Sequence, residues 1–420
     1  MELTPGYKKT EIGILPETWE LVPFSDILDF RNGLNADKSA YGAGTPFANV
    51  FEIINNSHLH TGDIPGRIRL PRALLGSFRV LYGDALFNRS SETQEEVGLA
   101  ATYMGSDSIV FGGFVIRARP KSAAALDPLY SGYALRSKPV RKQIVARGQG
   151  AIRANVGQQD LRSVLFPRPP LPEQRTIAEA LSDVDALLGA LARLIAKKRD
   201  LKRAATQQLL TGKTRLPGFT GKWQTKQVAE TGDVLAGKAL AVQGLGPLRP
   251  YLRTKNVLDG RIDLEDVLAM PMTDAEFKRF RIMQGDVLLN EGQSLELVGR
   301  CSLYRDEMTQ PCAMQNQLLR FRARTHTSPS FAEHLFRHCQ HTGAFCAIAT
   351  QTTSVAHLGS ARFKSLRLLW PLDRAEQDAI ATVLSDMDAE LVALDQRRAK
   401  TRLLKQGMMQ ELLTGRTRLV

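Results

Sequence analysis

Two segments of the chain carry apolar residues at alternating steps of four and three positions. These residues are Ile177, Leu181, Val184, Leu188 and Leu191 in the first segment, and Ile380, Leu384, Met387, Leu391 and Leu394 in the second. Such spacing places the apolar side chains on one face of a helix and is typical of a coiled-coil seam. A helix of about 37 residues would be about 55 Å long and unstable alone in water, so each predicted helix needs a partner.

The two helical segments are copies of one another. From Glu173 the chain reads EQRTIAEALSDVDALLGALARLIAKKRDLKRAATQQLLTGKTRL, and from Glu376 it reads EQDAIATVLSDMDAELVALDQRRAKTRLLKQGMMQELLTGRTRL. They align without a gap, with about 25 of 44 positions identical, which indicates a tandem duplication. Pro172 suits a helix start, and Gly212 and Gly415 suit helix ends. A simple helical hairpin is the alternative, but it would need a short loop between the helices.

The regions before and between the helices share an order of landmarks. Each opens with a motif ending in tryptophan, continues with a Gly-Asp turn leading into an apolar strand, and later has a Val-Gly pair. Strands are expected at 111–117 and 318–322 and helices at 128–147 and 329–348, so both regions mix the two. The expected division is 1–168 and 215–371 for the two domains, with 169–214 and 372–420 for the helices.

Composition and charge narrow the class of protein. Apolar residues make up 43% of the 420 residues, which suits folded domains, and 56 Lys and Arg against 43 Asp and Glu leave a formal charge of +13. That excess favours a polyanionic partner such as nucleic acid. Neither a secretory signal nor a membrane span is evident, so a cytoplasmic location is expected.

A metal site is not expected from the cysteines. All four lie in the second half, at Cys301, Cys312, Cys339 and Cys346, without the paired spacing of a zinc site. Histidines lie near them in the sequence, but free thiols are the simpler interpretation. No cofactor-binding glycine loop is found either.

Three stretches carry a family resemblance. They are FPRPPLPEQRTIAEALSDVDALL with KKRDLKRAATQQLLTGKTRLPGF, the second copy from Glu376, and the opening YKKTEIGILPETW. Together they resemble the specificity subunit of type I restriction-modification systems over essentially the whole chain. The resemblance implies an α+β fold with two mixed α/β target-recognition domains, separated by two long antiparallel coiled-coil helices in a pseudo-twofold tandem repeat. The second helix start departs from the pattern, because it reads PLDRAEQ where the first reads PPLPEQ.

The same resemblance implies a non-catalytic protein that reads a split, asymmetric DNA site. It implies double-stranded DNA and two methyltransferase subunits as partners, to which two ATP-dependent translocating nuclease subunits can be added. Two alternatives from other classes remain open at this point. One is a duplicated coiled-coil adaptor that never contacts DNA, and the other is a self-contained DNA-modifying enzyme.

Candidate DNA-binding residues are the polar and basic side chains of the predicted loops. Base edges are read by Arg, Asn and Gln, with Lys and Arg on phosphates. The candidates are Asn49, Asn88, Arg89, Ser90, Gln149, Arg153 and Asn155 in the first domain, and Arg253, Lys255, Asn256, Asn290, Gln293, Gln315, Asn316, Gln351 and Thr353 in the second.

Two motifs imitate catalytic sites. Thr211-Gly212-Lys213-Thr214 resembles the end of a phosphate-binding loop, but Gln207 replaces the earlier glycine and the preceding segment is helical. Asp266, Glu276 and Lys278 imitate the carboxylates and lysine of a nuclease, without a counterpart in the first domain. We therefore expect neither nucleotide binding nor cleavage by this chain.

Overall fold

The computed structural model describes residues 5–150, 153–240, 244–351 and 354–419. Its contacts divide the chain into unit 1, residues 1–192 with 396–420, and unit 2, residues 193–395. Each unit combines one domain-length region with part of both long helices. The division therefore differs from the four consecutive segments expected from the sequence, because each region packs against the adjoining helix segments.

The first half of the chain alternates short strands and helices. Its strands are β1 (Tyr7–Thr10), β2 (Gly13–Pro16), β3 (Glu20–Pro23), β4 (Leu28–Asn32), β5 (Tyr41–Ala48), β6 (His58–Leu59), β7 (Arg67–Ile68), β8 (Ala85–Asn88), β9 (Ser90–Ser91), β10 (Ala100–Tyr103), β11 (Val110–Phe111), β12 (Val115–Pro120), β13 (Ala154–Asn155) and β14 (Leu165–Arg168). Its helices are α1 (Phe24–Ile27), α2 (Val50–Asn55), α3 (Arg72–Phe78), α4 (Pro128–Ala134), α5 (Lys138–Arg147), α6 (Gln158–Arg162) and α7 (Leu171–Leu210), with 3-10 turns at Lys38–Ala40 and Thr61–Asp63.

The second half repeats most of this order, without counterparts of β1, β2 and α2. Its strands are β15 (Trp223–Gln227), β16 (Gly232–Ala236), β17 (Leu248–Leu252), β18 (Val257–Leu258), β19 (Arg261–Ile262), β20 (Leu268–Pro271), β21 (Asp286–Asn290), β22 (Gly292–Gln293), β23 (Cys301–Leu303), β24 (Ala313–Met314), β25 (Leu318–Ala323), β26 (Thr350–Gln351), β27 (Ala356–His357) and β28 (Arg367–Pro371). Its helices are α8 (Val228–Thr231), α9 (Asp274–Phe280), α10 (Pro329–His341), α11 (Ala344–Ile348), α12 (Ser360–Ser365) and α13 (Arg374–Leu412).

A central sheet forms the middle of each unit; it is antiparallel in unit 2, and in unit 1 it is antiparallel except for the edge strand β6, which runs parallel to β10. In unit 1 the strand order is β4-β12-β8-β10-β6, and in unit 2 it is β16-β25-β21-β23. Both faces of β8 are covered, since Phe87 belongs to one apolar cluster and Leu86 to another. The same holds for β21, where Leu289 and Leu288 belong to different clusters. Each unit also contains a three-stranded sheet, β11-β5-β7 in unit 1 and β20-β17-β24 in unit 2, and further short strand pairs.

Each predicted helix of about 20 residues is broken in two. In unit 1 the break separates α4 from α5, where Pro139 stands within the first turn of α5 and lacks the N–H that a continuous helix would use. In unit 2 it falls between α10 and α11 at Gly343, which has φ 79°. The expectation of one continuous helix in each place was wrong.

Segments of the two long helices pack against each other inside each unit. In unit 1 the buried carboxylate of Glu173 accepts a bond from Trp19 Nε1 at 3.0 Å and pairs with Arg418 at 2.8 Å. Twelve residues further along α7, Asp185 pairs with Lys405 at 2.6 Å. Because the partners run in opposite order along the chain, the two segments are antiparallel.

Unit 2 repeats these pairs with the roles of the copies exchanged. Glu376 pairs with Arg215 at 2.6 Å, and Asp388 pairs with Lys202. The ten seam residues are all buried or half-buried. Those nearest each helix start belong to domain cores as well as to a helix seam: Ile177 and Leu181 lie in one apolar cluster with Leu412, and Ile380 and Leu384 lie in another.

Candidate nucleic-acid interface

Five of the candidate residues in unit 1 come together at a small cluster of short strands, called the hairpin below, in which residue 149 pairs with residue 155 and β13 pairs with β9. Strand β13 pairs with β9, with Asn155 opposite Ser90. Gln149 and Asn155 exchange two backbone hydrogen bonds, of 3.0 and 2.8 Å. Arg89 adjoins them because Val156 N donates to its carbonyl at 3.0 Å, and Arg153 reaches Glu92 at 3.6 Å.

Some side chains of this hairpin hold its backbone together, and others are available to contact a ligand. Asn155 holds the hairpin, because its Oδ1 accepts from Ser90 Oγ at 2.5 Å and its Nδ2 donates to Arg153 O at 2.9 Å. Gln149 and Arg153 are exposed. The guanidinium of half-buried Arg89 makes no hydrogen bond or ion pair with the residues that the structure describes. An unpaired guanidinium at the surface is suited to guanine or phosphate.

A cavity lies beside the hairpin. It measures about 340 Å³ and is lined by three apolar side chains, Val50, Ile54 and Phe114, and by the polar or charged residues Ser90, Ser91, Glu92, Glu96 and Arg153. Phe114 is 56% exposed. Asn49 is placed next to this cavity as the N-cap of α2, where its Oδ1 accepts from Val50 N at 3.0 Å.

Unit 2 contains the equivalent hairpin. Strand β27 pairs with β22 and β26, with Gln293 and Gln351 both opposite Ala356. Leu358 N donates to Glu291 O at 2.8 Å, which reproduces the bond between Val156 and Arg89. Gln293 and Gln351 therefore meet at one place, whereas Thr353 lies outside the described residues.

The equivalent positions carry different side chains. Glu291 stands where unit 1 has Arg89, and His357 stands where it has Asn155. Glu291 Oε2 lies 3.0 Å from His357 Nδ1, and its Oε1 accepts from Gly359 N at 3.3 Å. Neither residue was among the sequence candidates, although the alignment of the two Gly-Asp strands places Glu291 at the position of Arg89. The same backbone frame thus presents a free cation in one unit and a carboxylate–imidazole pair in the other.

The other candidates of unit 2 lie on neighbouring loops, and Gln315 and Asn316 directly precede Gln317, whose carbonyl accepts from Glu291 N at 2.8 Å. Arg253 and Lys255 both bind Asp266, at 2.5 and 2.7 Å, and the Lys255 ammonium keeps the pKa of Asp266 below its usual value. Gln315 and Asn316 adjoin Lys238, whose carbonyl accepts from Asn316 N at 2.8 Å.

The nuclease-like carboxylates have separate, structural partners. Asp266 binds Arg253 and Lys255, whereas Glu276 caps α9 through Thr273 and pairs with Lys238. The hydrogen bond from Lys238 lowers the pKa of Glu276. The loop-like motif at Thr211 is a helix end, where Thr211 Oγ1 donates to Gln207 O and Gly212 has φ 67°.

Three of the candidate DNA-binding residues were wrong, namely Asn88, Asn290 and Asn256. Their side chains are at most 1% exposed, so they cannot reach a ligand at the surface. Asn88 and Asn290 end the central strands β8 and β21, which are covered on both faces. Asn256 instead ties a loop, because its Nδ2 donates to Asp263 O at 2.8 Å and to Asp266 O at 3.1 Å.

Thiols and histidines form no metal site in the described parts of the chain. No group of three or more His, Cys, Asp or Glu residues could hold an ion there. All four cysteines are free, and burial raises the pKa of Cys339 to about 12. Nor do the described residues include a helix long and apolar enough to cross a membrane.

Comparisons with known proteins agree with this geometry. The family described as type I restriction modification DNA specificity domain matches residues 16–197. The type I restriction enzyme MjaX specificity subunit of Methanocaldococcus jannaschii is 30% identical over 210 residues, which cover 49% of this chain and 48% of that protein. The EcoKI specificity subunit of Escherichia coli K12 is 23% identical over 396 residues, covering 88% and 82%.

Solved structures share the fold over nearly the whole chain. The S subunit of the type I system of M. genitalium gives a TM-score of 0.58 at 14% identity and covers 98% of both chains. The HsdS subunit of Thermoanaerobacter tengcongensis gives 0.53 at 16% identity, covering 96% of this chain and 98% of that one. Residues 16–197 are thus similar to the type I restriction-modification specificity family, and nearly the whole chain has the fold of the solved S subunits. Within this fold, the duplicated hairpins carry unlike polar groups at equivalent positions.

Proposed function

We propose that this chain is the DNA-recognition subunit of a type I restriction-modification complex and carries no catalytic site of its own. In this proposal residues 1–168 and 215–371 each read one half of a split, asymmetric DNA site. Residues 169–214 and 372–420 form the spacer between them and dock two methyltransferase subunits. Two nuclease subunits can join that complex.

One observation carries the proposal: the same backbone arrangement occurs in both units but presents different polar side chains. The bond from Val156 N to Arg89 O recurs as the bond from Leu358 N to Glu291 O, so the two positions are equivalent in the backbone. Arg89 offers only donors, which suits guanine, whereas the Glu291 carboxylate accepts hydrogen bonds, which suits cytosine or a positioned histidine. Different groups on one frame are what reading two unlike half-sites requires.

The repeated helix pairs support the docking part. The pairs Glu173–Arg418 and Glu376–Arg215 are equivalent, so the helices offer two related surfaces to two copies of one partner.

The test is the modified DNA motif of a host that carries this chain and its methyltransferase subunits. We expect a split, asymmetric motif that disappears when the gene for this chain is deleted. Arg89→Ala and His357→Gln should each weaken binding by about 1–3 kcal/mol at one half-site and leave the other unchanged. A methylated motif that survives the deletion, or cleavage or methylation by the purified chain alone, contradicts the proposal.

A further inference from the structure

The two hairpins differ at four positions that share one backbone arrangement. In the strand ladders Asn155 lies opposite Ser90, and His357 lies opposite Gly292. The backbone amide of Arg89 donates to Phe114 O at 2.8 Å, and the same bond recurs from Glu291 N to Gln317 O. The corresponding positions are therefore Arg89, Ser90, Phe114 and Asn155 in unit 1, and Glu291, Gly292, Gln317 and His357 in unit 2.

Gly292 makes room for the side chains of the second hairpin. In unit 1 the hydroxyl of Ser90 bonds to Asn155 Oδ1, but unit 2 has no side chain at this position. A Cβ atom on Gly292 would lie 3.2 Å from His357 Cε1 and would overlap Gln317 Oε1. The glycine thus allows the larger imidazole to pack against the strand.

The imidazole of His357 is held in one orientation. Glu291 Oε2 lies 3.0 Å from His357 Nδ1, and Glu291 Oε1 accepts from Gly359 N at 3.3 Å. This carboxylate is itself mostly buried. On the other side, Arg362 donates to His357 O at 2.8 Å and to Thr350 Oγ1 at 2.9 Å. Both the ring and its backbone are therefore fixed by hydrogen bonds.

The Glu291 carboxylate decides which nitrogen of His357 carries the proton. An ionised carboxylate can only accept, and a neutral imidazole has one N–H, so this N–H is on Nδ1 and Nε2 keeps a lone pair. Nε2 forms no hydrogen bond with the residues that the structure describes, and the His357 side chain is 36% exposed. The hairpin of unit 2 therefore offers an accepting nitrogen at its surface, whereas Arg89 of unit 1 offers only donors.

We propose that His357 reads the exocyclic amino group of an adenine or a cytosine in the half-site of unit 2, and that Glu291 is the positioning residue that fixes its tautomer. In the major groove the amino groups of adenine and cytosine donate, whereas guanine and thymine present oxygen acceptors that repel a lone pair. The inference rests on the proposed function and deepens it, because it names the base edge that one domain reads.

The first test uses the full chain with the methyltransferase subunits of its host, bound to duplexes that carry the methylated motif. Each adenine of the motif is replaced in turn by purine and each cytosine by 2-pyrimidinone, so that only the amino group is lost. At the base that His357 reads, binding should weaken about 5- to 30-fold, the lower range for a base contact, because a single hydrogen bond is lost.

Two variants assign that effect to one side chain. His357→Asn installs the residue of unit 1 and can still donate to Glu291, but it has no atom in place of Nε2. It should abolish the effect of the analogue at one position of the motif, whereas Arg89→Ala should leave that effect as in the wild type. If no analogue loses its effect in His357→Asn, the inference is overturned.

A second measurement, without DNA, examines the positioning role of Glu291. In the full chain with isotope-labelled histidine, nitrogen NMR spectra distinguish a protonated ring nitrogen from an unprotonated one, and His357→Asn identifies the signals of His357. We expect a protonated Nδ1 and an unprotonated Nε2, with a shift towards the opposite tautomer in Glu291→Ala. A protonated Nε2 in the wild type, or an unchanged spectrum in Glu291→Ala, contradicts the inference.

Failure of this inference and failure of the proposed function give different results. A methylated motif that survives deletion of the gene for this chain contradicts the proposed function, and this inference with it. A motif that depends on this chain but has no amino group coupled to His357 overturns this inference alone.

Discussion

Two buried carboxylates, Glu173 and Glu376, each depend on one arginine from the end of the other repeat copy. Glu173 is 1% exposed and pairs with Arg418, and Glu376 is fully buried and pairs with Arg215. Removing one partner of a buried pair leaves a charge without compensation. These arginines should therefore matter more to stability than other surface arginines.

We expect Arg418→Ala and Arg215→Ala each to lower the free energy of unfolding by about 3 kcal/mol, the lower end for buried pairs because the arginines are partly exposed. Denaturant unfolding of the full chain measures this. Arg416→Ala is the control, since Arg416 is 65% exposed and lies 3.8 Å from Glu411, a surface pair worth under about 1 kcal/mol. An Arg418→Ala variant as stable as Arg416→Ala would contradict the argument.

His334 should make unit 2 sensitive to acid. Burial lowers its pKa to about 4, and the neighbouring Arg337 adds to this, while its Nε2 lies 2.9 Å from Ser385 Oγ. Between its unfolded pKa of 6.5 and about 4, the unfolded chain binds a proton that the folded chain does not. Stability is thus fully present above pH 6.5 and falls as the pH drops through this window, by roughly 2 kcal/mol at pH 5.

Thermal unfolding at pH 7 and pH 5 measures this effect. His334→Gln removes the titrating group and should flatten the dependence, whereas His326→Gln, at an exposed position, should leave it as in the wild type. An unchanged pH dependence in His334→Gln would show that another group is responsible.

At the scale of elements, the repeated Glu-Gln pair explains how each long helix is attached to its domain. Gln174 Oε1 accepts from Asp127 N at 2.9 Å, and its Nε2 donates to Pro169 O at 2.9 Å. Gln377 does the same in unit 2, accepting from Ser328 N at 2.8 Å and donating to Pro371 O at 2.9 Å. One amide thus joins the start of a long helix to the N-cap of a domain helix.

Gln174→Ala and Gln377→Ala should each cost about 1–3 kcal/mol, because buried backbone groups lose their partners. The two variants are matched, so similar losses are expected, and amide exchange should be faster at the start of α4 or α10 respectively. The exposed Gln410→Ala in α13 is a suitable control. Loss of stability without faster exchange at these helix starts would argue for a different role.

The sequence predicted elements well where a single periodicity governs burial. The four-three spacing gave α7 and α13, because one apolar face decides whether a long helix packs. Periodicity could not show that the Asn88 side chain is buried, because its burial depends on the elements that cover the second face of β8. Nor could periodicity predict that Glu291 contacts His357, 66 residues later, because that contact depends on the long-range pairing of β22 with β27.

At the scale of the whole molecule, duplication explains both what is shared and what differs. The ion pairs of the helices recur in equivalent positions, which preserves the frame, whereas the hairpin side chains differ. Groups that hold the frame are fixed by packing. Groups at the surface of the hairpins are not fixed in this way, so the two hairpin surfaces can diverge without disturbing the fold.

The proposed spacer role makes the length of the helices a determinant of the recognised site. Helix α7 has 40 residues and α13 has 39, so each is about 60 Å long at about 1.5 Å per residue. Inserting one heptad in both helices, at places that face each other in the antiparallel pair, adds about 10.5 Å and keeps the apolar face and the antiparallel pairing in register. We expect the unspecified spacer of the methylated motif to lengthen by about three base pairs, at about 3.4 Å each. A heptad in one helix alone is the control, since it breaks the register and should reduce stability without defining a new spacer. If the double insertion leaves a stable protein and an unchanged spacer, the helices do not set the distance between half-sites.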